Sequence, residues 1–281
     1  MPELPEVETV VRSLRPIIIG KTILSLIEQN DYARVFAPQT PAIIQSRVTN
    51  KAVTSVFRRA KYIVLDLGEG YLTIHLRMTG RLIQSLSPDE NPKHITALFQ
   101  FDDGSTLYFK DYRKFGRIQY LSSLAKLDEK LGPEPLSDLF TLRLFSHNLK
   151  QKKGQIKSLL LNQSFIAGLG NIYVDESLWR ARIHPETPAN CISGIKIRWL
   201  YEAIRMVLTA AIKAQGTTII NFYFSEGSSG NFKNELNVFG RQGKTCPRCR
   251  TIIKKIRASQ RGTHFCPKCQ KKKAPKKSGL E

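Results

Sequence analysis

Residues 246–269 read CPRCRTIIKKIRASQRGTHFCPKC, in which two Cys-x-x-Cys pairs stand sixteen residues apart. Pairs at this separation are typical of a tetrahedral Zn²⁺ held between two turns, a zinc ribbon. The four thiolates of Cys246, Cys249, Cys266 and Cys269 would complete the coordination shell and leave no position for water. We therefore predict one structural zinc ion, with His264 outside the ligand set.

Positive charge is concentrated around this ribbon. Residues 241–281 hold fourteen Lys and Arg and a single acid, Glu281, in a chain with 44 Lys and Arg against 23 Asp and Glu. The net charge of +21 favours a polyanionic partner through phosphate neutralisation and counterion release. Ribosome-associated and membrane-surface proteins can show a similar balance. The ribbon alone would equally suit a passive DNA- or RNA-binding module.

The apolar runs and the opening of the chain predict an intracellular protein. No apolar run approaches the roughly 20 residues that cross a bilayer, so we expect no membrane partner. The opening MPELPE is acidic and lacks the basic and apolar parts of a signal peptide. We predict a cytoplasmic, nucleoid-associated location in which thiols stay reduced. The remaining cysteine, Cys191, is expected to be a small core residue.

Hydrophobic periodicity separates a strand-rich half from a helical half. Residues 1–20 predict a helix with an apolar face that includes Val7, Val10 and Leu14, and Pro16 is expected to help end it. Strands are predicted at 53–57, 62–67, 71–76, 97–101 and 106–109, the last two joined by an Asp-Gly turn. Beyond a Gly- and Pro-rich linker at 131–137, helices are predicted at 142–150, 156–161, 172–182 and 199–213.

These patterns predict an α+β fold with two domains. An N-terminal domain, made of a helix and an antiparallel β-sandwich or barrel, is placed at 1–132, and a helical domain at 133–240. The zinc ribbon occupies 241–270, and the Lys-rich tail at 271–281 is expected to be disordered. The two domains would face each other across a basic cleft, and we expect a monomer.

The N-terminus offers the residue types for amine catalysis. Removal of Met1 would give Pro2 a free secondary amine, and α-amino groups titrate near about 7.7–8.0, so a nucleophilic fraction exists at neutral pH. A secondary amine that attacks a sugar C1′ gives an iminium ion, which acidifies the C2′ proton. Glu3 and Glu6 lie within a helical turn of this amine and could supply a general acid and an ordering group. Alternatively, acids in a first turn only stabilise the helix dipole.

The opening MPELPEVETV resembles the N-terminus of formamidopyrimidine-DNA glycosylases, in the Fpg/Nei family of DNA-repair enzymes. The resemblance continues in order along nearly the whole chain, through RRAKY at 58–62, HLRMTGR at 75–81, DYRKFG at 111–116, IAGLGNIYVDE at 166–176, IHP at 183–185, LNVFGRQG at 236–243 and RGTHFCPKCQ at 261–270. Two segments depart from the commoner family patterns: KHIT at 93–96 and GNFK at 230–233.

This resemblance implies roles for matching residues. Pro2 would be the Schiff-base nucleophile and Glu3 the proton donor, with Glu6 in support. Lys61, on the strand after the two arginines, would donate a proton during β-elimination. Arg261 would serve δ-elimination and contact a phosphate.

The resemblance also implies how DNA is held. Met78, Arg113 and Phe115 would fill the gap left by an extruded nucleotide. The GLGN turn at 168–171 would join a helix–two-turns–helix element, and the segment 217–233 would cover an oxidised purine. The implied DNA-binding residues are His94, Arg113, Lys152, Lys157 and Asn171.

The predicted function is that of a bifunctional DNA glycosylase and abasic-site lyase of base-excision repair. Its substrate would be double-stranded DNA with oxidised purines (8-oxoguanine and formamidopyrimidines) or abasic sites, cleaved by β,δ-elimination. One alternative is the endonuclease VIII type, which prefers oxidised pyrimidines; that type usually begins PEGPE, so Leu4 favours the purine type. The other alternative is a non-catalytic zinc-ribbon DNA-binding protein.

Overall fold

The computed structural model describes residues 2–84, 91–217 and 231–272. The chain divides into two compact units: Met1–Glu129 with Ala214–Asn231, and Lys130–Lys213 with Phe232–Glu281. The first division falls three residues before the predicted boundary at 132. The segment Ala214–Asn231 groups with the N-terminal unit, whereas the sequence had placed it in the helical domain. Most of the predicted purine-covering segment and residues 273–281 of the predicted tail lie outside the described residues.

The described residues of the first unit form three α-helices and nine strands. Their bounds are α1 (Leu4–Ile18), β1 (Thr22–Glu28), α2 (Pro41–Val48), β2 (Lys51–Ala52), β3 (Ser55–Arg59), β4 (Tyr62–Asp66), β5 (Tyr71–His75), β6 (Gly80–Ile83), β7 (Ile95–Phe101), β8 (Thr106–Asp111), β9 (Arg117–Leu121) and α3 (Ala125–Asp128). Short 3-10 turns occur at Ala33–Phe36 and Pro92–His94.

Two antiparallel sheets enclose one core. The five-stranded sheet has the order β2-β1-β7-β8-β6, and the four-stranded sheet has the order β3-β4-β5-β9. Phe99 and Phe109 from the first sheet are fully buried in the same hydrophobic cluster as Ile63 and Ile74 from the second. The predicted β-sandwich is therefore confirmed.

Helix α1 is fixed to this sandwich by its apolar face. Val7, Val10, Val11 and Leu14 are buried in the sandwich core, and the helix packs against β3 and β4. Burying each such side chain stabilises the fold by roughly 1.5–3 kcal/mol. The helix continues to Ile18, two residues beyond the proline that was expected to help end it. Because α1 is held so firmly, the residues at its first turn have a fixed position.

The hairpin between β3 and β4 corrects one prediction. Arg59 pairs with Tyr62, so Ala60 and Lys61 form a two-residue turn, with Ala60 at φ 52°. Lys61 thus lies in the turn and not on the strand. Because a turn residue takes no part in strand pairing, contacts outside the sheet can fix the Lys61 side chain in a site.

The second unit is helical and ends in the ribbon. Its elements are α4 (Leu142–Lys150), α5 (Ile156–Leu161), α6 (Asn171–Arg180), α7 (Gly194–Lys213), β10 (Lys254–Ala258) and β11 (Arg261–Phe265), with 3-10 turns at Ala189–Cys191 and Asn231–Glu235. Helices α4 and α5 have the predicted bounds, while α7 begins five residues earlier than predicted. The prediction of a buried Cys191 is wrong, because this residue is exposed beside Asn190.

The ribbon hairpin has a tight tip. Ala258 pairs with Arg261, which leaves Ser259 and Gln260 as the turn, at φ 52° and 57°. Two left-handed residues in succession match the twist of a hairpin but favour Asn or Gly. Arg261 is consequently the first strand residue after the tip.

None of the helices in the described part of the chain is long and apolar enough to cross a membrane.

Candidate active site and nucleic-acid interface

Glu6 organises the residues around Pro2. Its Oε2 accepts a hydrogen bond from the backbone N–H of Glu3 at 2.9 Å. Its Oε1 accepts from the backbone N–H of Thr217 at 3.0 Å and from the Thr217 hydroxyl at 3.1 Å. Gly216, at φ +88°, is required here because a Cβ would lie 2.8 Å from Glu6 Oε1. The buried carboxylate therefore ties the start of α1 to the chain that follows α7.

Pro2 and Glu3 are buried in the same place. Glu3 is the N-cap residue of α1, and its side chain is 3% exposed. Pro2 immediately precedes it and is also buried. A nucleophile in this position would be shielded from bulk water and close to two carboxylates. The three residues predicted at this end of the site are thus brought together.

Lys61 is buried in the β3–β4 turn, close enough to His75 for its charge to act on that ring. His75 ends β5 and lies opposite Tyr62, with the two rings edge-on at 4.6 Å. Burial, followed by the positive charges of Arg77 and Lys61, lowers the pKa of His75 to about 3. The imidazole is therefore neutral at physiological pH.

The tautomer of His75 follows from its backbone contact. The N–H of Arg77 donates to His75 Nδ1 at 3.0 Å, so Nε2 carries the proton and is the donor. Sequence reasoning did not single out His75, although it opens the HLRMTGR block. The available signal was a histidine at the end of a strand whose other residues are apolar.

Two adjacent loops carry the residues predicted to fill the gap in DNA. Met78, in the turn between β5 and β6, is 40% exposed, and Phe115, in the loop between β8 and β9, is 47% exposed. The guanidinium of Arg113 lies over the Phe115 ring, 5.0 Å from its centroid. Large apolar side chains at exposed turn positions are available to contact a ligand.

Asp111 fixes the geometry of these loops. Its buried carboxylate accepts hydrogen bonds from the Thr79 hydroxyl, from the N–H of Arg113 at 3.2 Å and from the N–H of Gly116 at 2.7 Å. The Arg113 N–H also donates to Thr79 Oγ1 at 3.0 Å. Asp111 was not predicted; the clue was an acid directly before a turn that presents two cations and an aromatic ring.

His94 lies beside an aromatic ring surrounded by cations. Its imidazole is 4.4 Å from the ring of Tyr112, and Lys110 Nζ lies 5.0 Å from the same ring. The guanidinium of Arg81 is 5.8 Å from it. This cluster gives the predicted DNA-binding histidine a fixed position in a positively charged surrounding.

In the second unit, α6 holds the ribbon hairpin. Asn171, its first residue, donates from Nδ2 to the carbonyl of Gly262 at 3.0 Å. One turn later, Asp175 Oδ2 accepts from the backbone N–H of His264 at 2.8 Å. Both contacts fall on β11, directly after Arg261, whose side chain is exposed. The helix therefore sets the position from which Arg261 projects.

The resemblance implies that Lys157 binds DNA, but its side chain does not reach the surface. It is fully buried, with Nζ 2.6 Å from Asp175 Oδ1. A side chain without exposed surface cannot meet a phosphate unless it leaves this ion pair. Lys157 therefore supports Asp175 from below the surface, whereas Lys152, which the resemblance also implies to bind DNA, is exposed.

Glu176 anchors the chain that enters the ribbon. Its buried carboxylate accepts from the backbone N–H groups of Asn237, Val238 and Phe239 at 3.0, 2.8 and 2.9 Å, and from Asn237 Nδ2 at 3.1 Å. Four donors on one carboxylate satisfy its charge in the interior. Sequence reasoning missed this residue because its partners lie some sixty positions away.

The four predicted ligands form one cluster. Their Sγ atoms all lie within 4.8 Å of one another, with Cys246 and Cys269 at 4.0 Å and Cys249 and Cys266 at 3.4 Å. Four thiolates about 2.3 Å from a tetrahedral zinc would be about 3.8 Å apart. The cluster therefore fits one structural Zn²⁺, which closes the base of the hairpin and takes no part in chemistry.

Comparisons with known proteins match these parts in order. The family model for the formamidopyrimidine-DNA glycosylase N-terminal domain matches residues 1–118, that for its H2TH domain matches 131–222, and that for the zinc finger found in FPG and IleRS matches 243–272. The formamidopyrimidine-DNA glycosylase of Chloroflexus aggregans is 44% identical over 273 residues, covering 96% of this chain and 98% of that protein. That of Protochlamydia amoebophila is 44% identical over 278 residues, covering 97% and 100%.

Solved structures give the same result. The Lactococcus lactis enzyme bound non-covalently to DNA with an AP site superposes with a TM-score of 0.87 at 38% identity, covering 96% of this chain and 100% of that one. MutM in complex with DNA containing carbocyclic 8-oxo-G has a TM-score of 0.86 at 40% identity, with the same coverage. The fold and these matches define a DNA glycosylase of base-excision repair. The chain belongs to the formamidopyrimidine-DNA glycosylase family, in which glycosylase and abasic-site lyase activities are combined.

Proposed function

We propose that this enzyme excises oxidised purines, namely 8-oxoguanine and formamidopyrimidines, from duplex DNA and then cleaves the abasic strand. The observation that carries the proposal is the buried grouping of Pro2, Glu3 and Glu6 at the start of α1. Solved relatives support the substrate class, because they include complexes with Fapy-dG and with carbocyclic 8-oxo-G DNA. The enzyme acts as a monomer in the cytoplasm, where its DNA substrate is found.

The first step is attack by the Pro2 nitrogen on C1′ of the damaged nucleotide, once Met1 has been removed. The N–C1′ bond forms, the bond from C1′ to the base breaks, and the base leaves with the electron pair and a proton. Opening of the C1′–O4′ bond, with protonation of O4′ by Glu3, gives an iminium ion. Because proline is a secondary amine, this cation cannot be neutralised by losing a proton from nitrogen.

Two eliminations follow from the iminium ion. It acidifies the C2′ proton, whose loss expels the 3′ phosphate by breaking C3′–O3′, with proton transfer through Lys61. A further proton loss breaks C5′–O5′, and Arg261 stabilises the departing phosphate. Water then hydrolyses the iminium ion, which releases the sugar remnant as an aldehyde and regenerates the free amine of Pro2.

Extrusion of the nucleotide is assisted by the exposed side chains of the two Asp111-ordered loops. Phe115 separates the neighbouring base step, Met78 occupies the space left by the extruded base, and Arg113 hydrogen-bonds the unpaired partner base. Unstacking costs a few kcal/mol and costs least at damaged pairs. Phosphate contacts from His94, Lys152, Asn171 and Arg261 offset that cost.

Borohydride trapping tests the proposal. Met1-free protein is incubated with a duplex containing 8-oxoguanine and reduced, and we expect a covalent protein–DNA adduct that maps to Pro2. The matched control carries an N-terminal extension that keeps the Pro2 nitrogen in a peptide bond, and it should bind the duplex without forming the adduct. Absence of an adduct with the Met1-free protein would reject the mechanism and favour passive DNA binding.

The endonuclease VIII type of specificity is tested with the same assay. Leu4, in the opening PELPE, is the residue that favours the purine type. We expect faster excision of 8-oxoguanine than of thymine glycol from otherwise identical duplexes. The reverse order would assign the oxidised-pyrimidine specificity to this enzyme.

A further inference from the structure

A groove of about 360 Å³ lies in the second unit, and none of its lining residues has been given a role above. It is formed by the last residues of α6, one face of α7 and the first zinc knuckle. Its basic side consists of Arg180, Arg182 and Arg248, and its apolar side includes Trp199 and Met206. This volume falls in the range of natural ligand pockets, about 300–1,000 Å³.

The apolar side continues as a stripe along α7. Ile195, Trp199, Glu202 and Met206 follow one another at intervals of three or four residues, so they share one face of the helix within about 60° of arc. Ile195 is 55% exposed, Trp199 39% and Met206 49%. The buried face of α7, which includes Leu200 and Ile204, lies on the opposite side. An exposed apolar stripe opposite a complete buried face indicates an interaction surface.

On the basic side of the groove, a ring contact and two hydrogen bonds fix the Arg248 side chain. The Arg248 guanidinium lies 4.1 Å from the Trp179 ring centroid and donates to the carbonyls of Trp179 at 3.1 Å and Arg180 at 3.4 Å. Arg180 and Arg182 are exposed beside it. Three guanidinium groups face a single lining acid, Glu202. The groove therefore combines one fixed and two exposed guanidinium groups with an apolar wall, a combination that suits carboxylates next to an apolar side chain.

We propose that this groove binds an acidic peptide segment of a partner protein, anchored by an aromatic or large aliphatic side chain. Carboxylates would pair with the arginines, which favour planar, bidentate partners, while the anchor packs on Trp199 and Met206. Charge complementarity and the adjacent apolar stripe argue for this occupant. Duplex DNA would match the charge but would leave the stripe exposed.

The position along α6 also separates this surface from the proposed DNA contacts. Asn171 and the hairpin contact of Gly262 lie at the N-terminal end of α6. The groove lies at Arg180, the C-terminal end, about 14 Å farther along the helix axis at 1.5 Å per residue. A peptide in the groove can therefore be bound without displacing the Asn171–Gly262 contact.

Fluorescence anisotropy with the zinc-loaded full chain tests the proposal. The probe is a fluorescein-labelled hexapeptide of five aspartates followed by a phenylalanine; one control peptide replaces every aspartate by asparagine and another replaces phenylalanine by alanine. We expect saturable binding of the probe, weakened at least roughly tenfold in either control peptide. Arg182→Glu and Trp199→Ala should each weaken probe binding by a similar factor, about 1.4 kcal/mol. Arg143→Glu, an exposed charge reversal that does not line the groove, should leave it unchanged.

Two outcomes would overturn the proposal. One is that the wild type, Arg182→Glu and Met206→Glu all bind the probe equally well. Met206→Glu is included because it changes the apolar wall at the surface without removing the Trp199 ring. The other is a loss of lesion-duplex affinity in these variants as large as the loss of probe affinity, which would make the groove part of the DNA surface. Protein with a blocked N-terminus should bind the probe normally. The peptide-binding test therefore remains valid even if the trapping experiment fails.

Discussion

The Glu6 carboxylate accepts two hydrogen bonds from Thr217, a residue 211 positions later in the chain. The same carboxylate accepts the N–H of Glu3, so one side chain connects the proposed nucleophile to the chain entering the predicted purine-covering segment. Glu6→Gln replaces one carboxylate oxygen by an NH₂, which then faces either the N–H of Glu3 or the two donors of Thr217. We expect a loss of about 1–3 kcal/mol in the free energy of unfolding and slower excision. Urea titration and single-turnover kinetics measure the two effects.

Thr217→Val and Thr217→Ser separate the contributions of that contact. Valine removes the hydroxyl bond to Glu6 and should cost about 0.5–1.5 kcal/mol, whereas serine keeps it and should resemble the wild type. A Glu6→Gln variant as stable and active as the wild type would show that the carboxylate has no organising role.

His75 makes stability depend on pH. Its pKa is lowered from 6.5 to about 3, so the unfolded chain binds a proton between these values and the folded protein does not. Above pH 6.5 the imidazole is neutral in both states and does not reduce the free energy of unfolding. As pH falls toward 3, protonation of the unfolded chain lowers the free energy of unfolding, by roughly 3 kcal/mol at pH 4. Denaturant titrations of wild type and His75→Gln from pH 7.5 to 4 should differ in slope over this window. Parallel curves would contradict the neutral, buried imidazole.

Asp111 is expected to control DNA affinity through loop order. Asp111→Asn turns one acceptor toward the N–H of Gly116 into a donor, which should cost about 1–3 kcal/mol of stability. We expect affinity for a lesion duplex to fall roughly tenfold, because Arg113 and Phe115 lose their fixed position. Asp31→Asn, an exposed acid at positive φ that asparagine tolerates, is the control. If Asp111→Asn bound the lesion duplex as tightly as the wild type, the order of these loops would not control DNA affinity.

The two lysines of the second unit should respond differently to salt. Lys152→Ala removes an exposed charge and should reduce the slope of log K against log salt by about 0.9. Lys157→Met should leave that slope unchanged but destabilise the fold by about 3–5 kcal/mol, because Asp175 would remain buried without its cation. Binding isotherms at several salt concentrations measure the slopes. A slope change in the Lys157 variant alone would instead favour a direct role of Lys157 in DNA binding.

Zinc should be bound at one ion per chain and should support DNA binding without affecting the Pro2 amine. Cys269→Ser is expected to lose the metal and to weaken duplex affinity, since metal binding supplies folding free energy to the hairpin. Cys191→Ser is the matched control, as this thiol is exposed and outside the cluster. Elemental analysis, binding isotherms and N-terminal amine labelling test the three statements. Retention of zinc by Cys269→Ser would contradict the four-thiolate site.

Features that depend on residues close together in the sequence were predicted correctly. The ribbon followed from the spacing of its cysteines, and α4 and α5 followed from helical periodicity. The sandwich followed from alternating strands and an Asp-Gly turn. The catalytic assignments came from resemblance, since proline and two acids in a first helical turn are ordinary on their own.

Features that depend on distant contacts were not predictable in this way. Lys157 looked like a surface cation because nothing local shows that Asp175, on the next helix, would bury it. Asp111 and Glu176 accept hydrogen bonds from backbone N–H groups. Such groups occur at nearly every position, so residue types do not show which of them a carboxylate will bind. The early start of α7 was missed because its first turns carry exposed apolar residues that blur the helical pattern.

Helix α6 meets three neighbours along one short length: the hairpin at Asn171 and Asp175, the chain at 237–239 through Glu176, and the zinc knuckle at Trp179. Each residue added to a helix rotates everything after it by about 100°. A single insertion between Asn171 and Trp179 would therefore bring the hairpin and the knuckle out of phase. Evolution can exchange side chains in this helix, but its length is fixed, and insertions in this unit belong in the loops on either side.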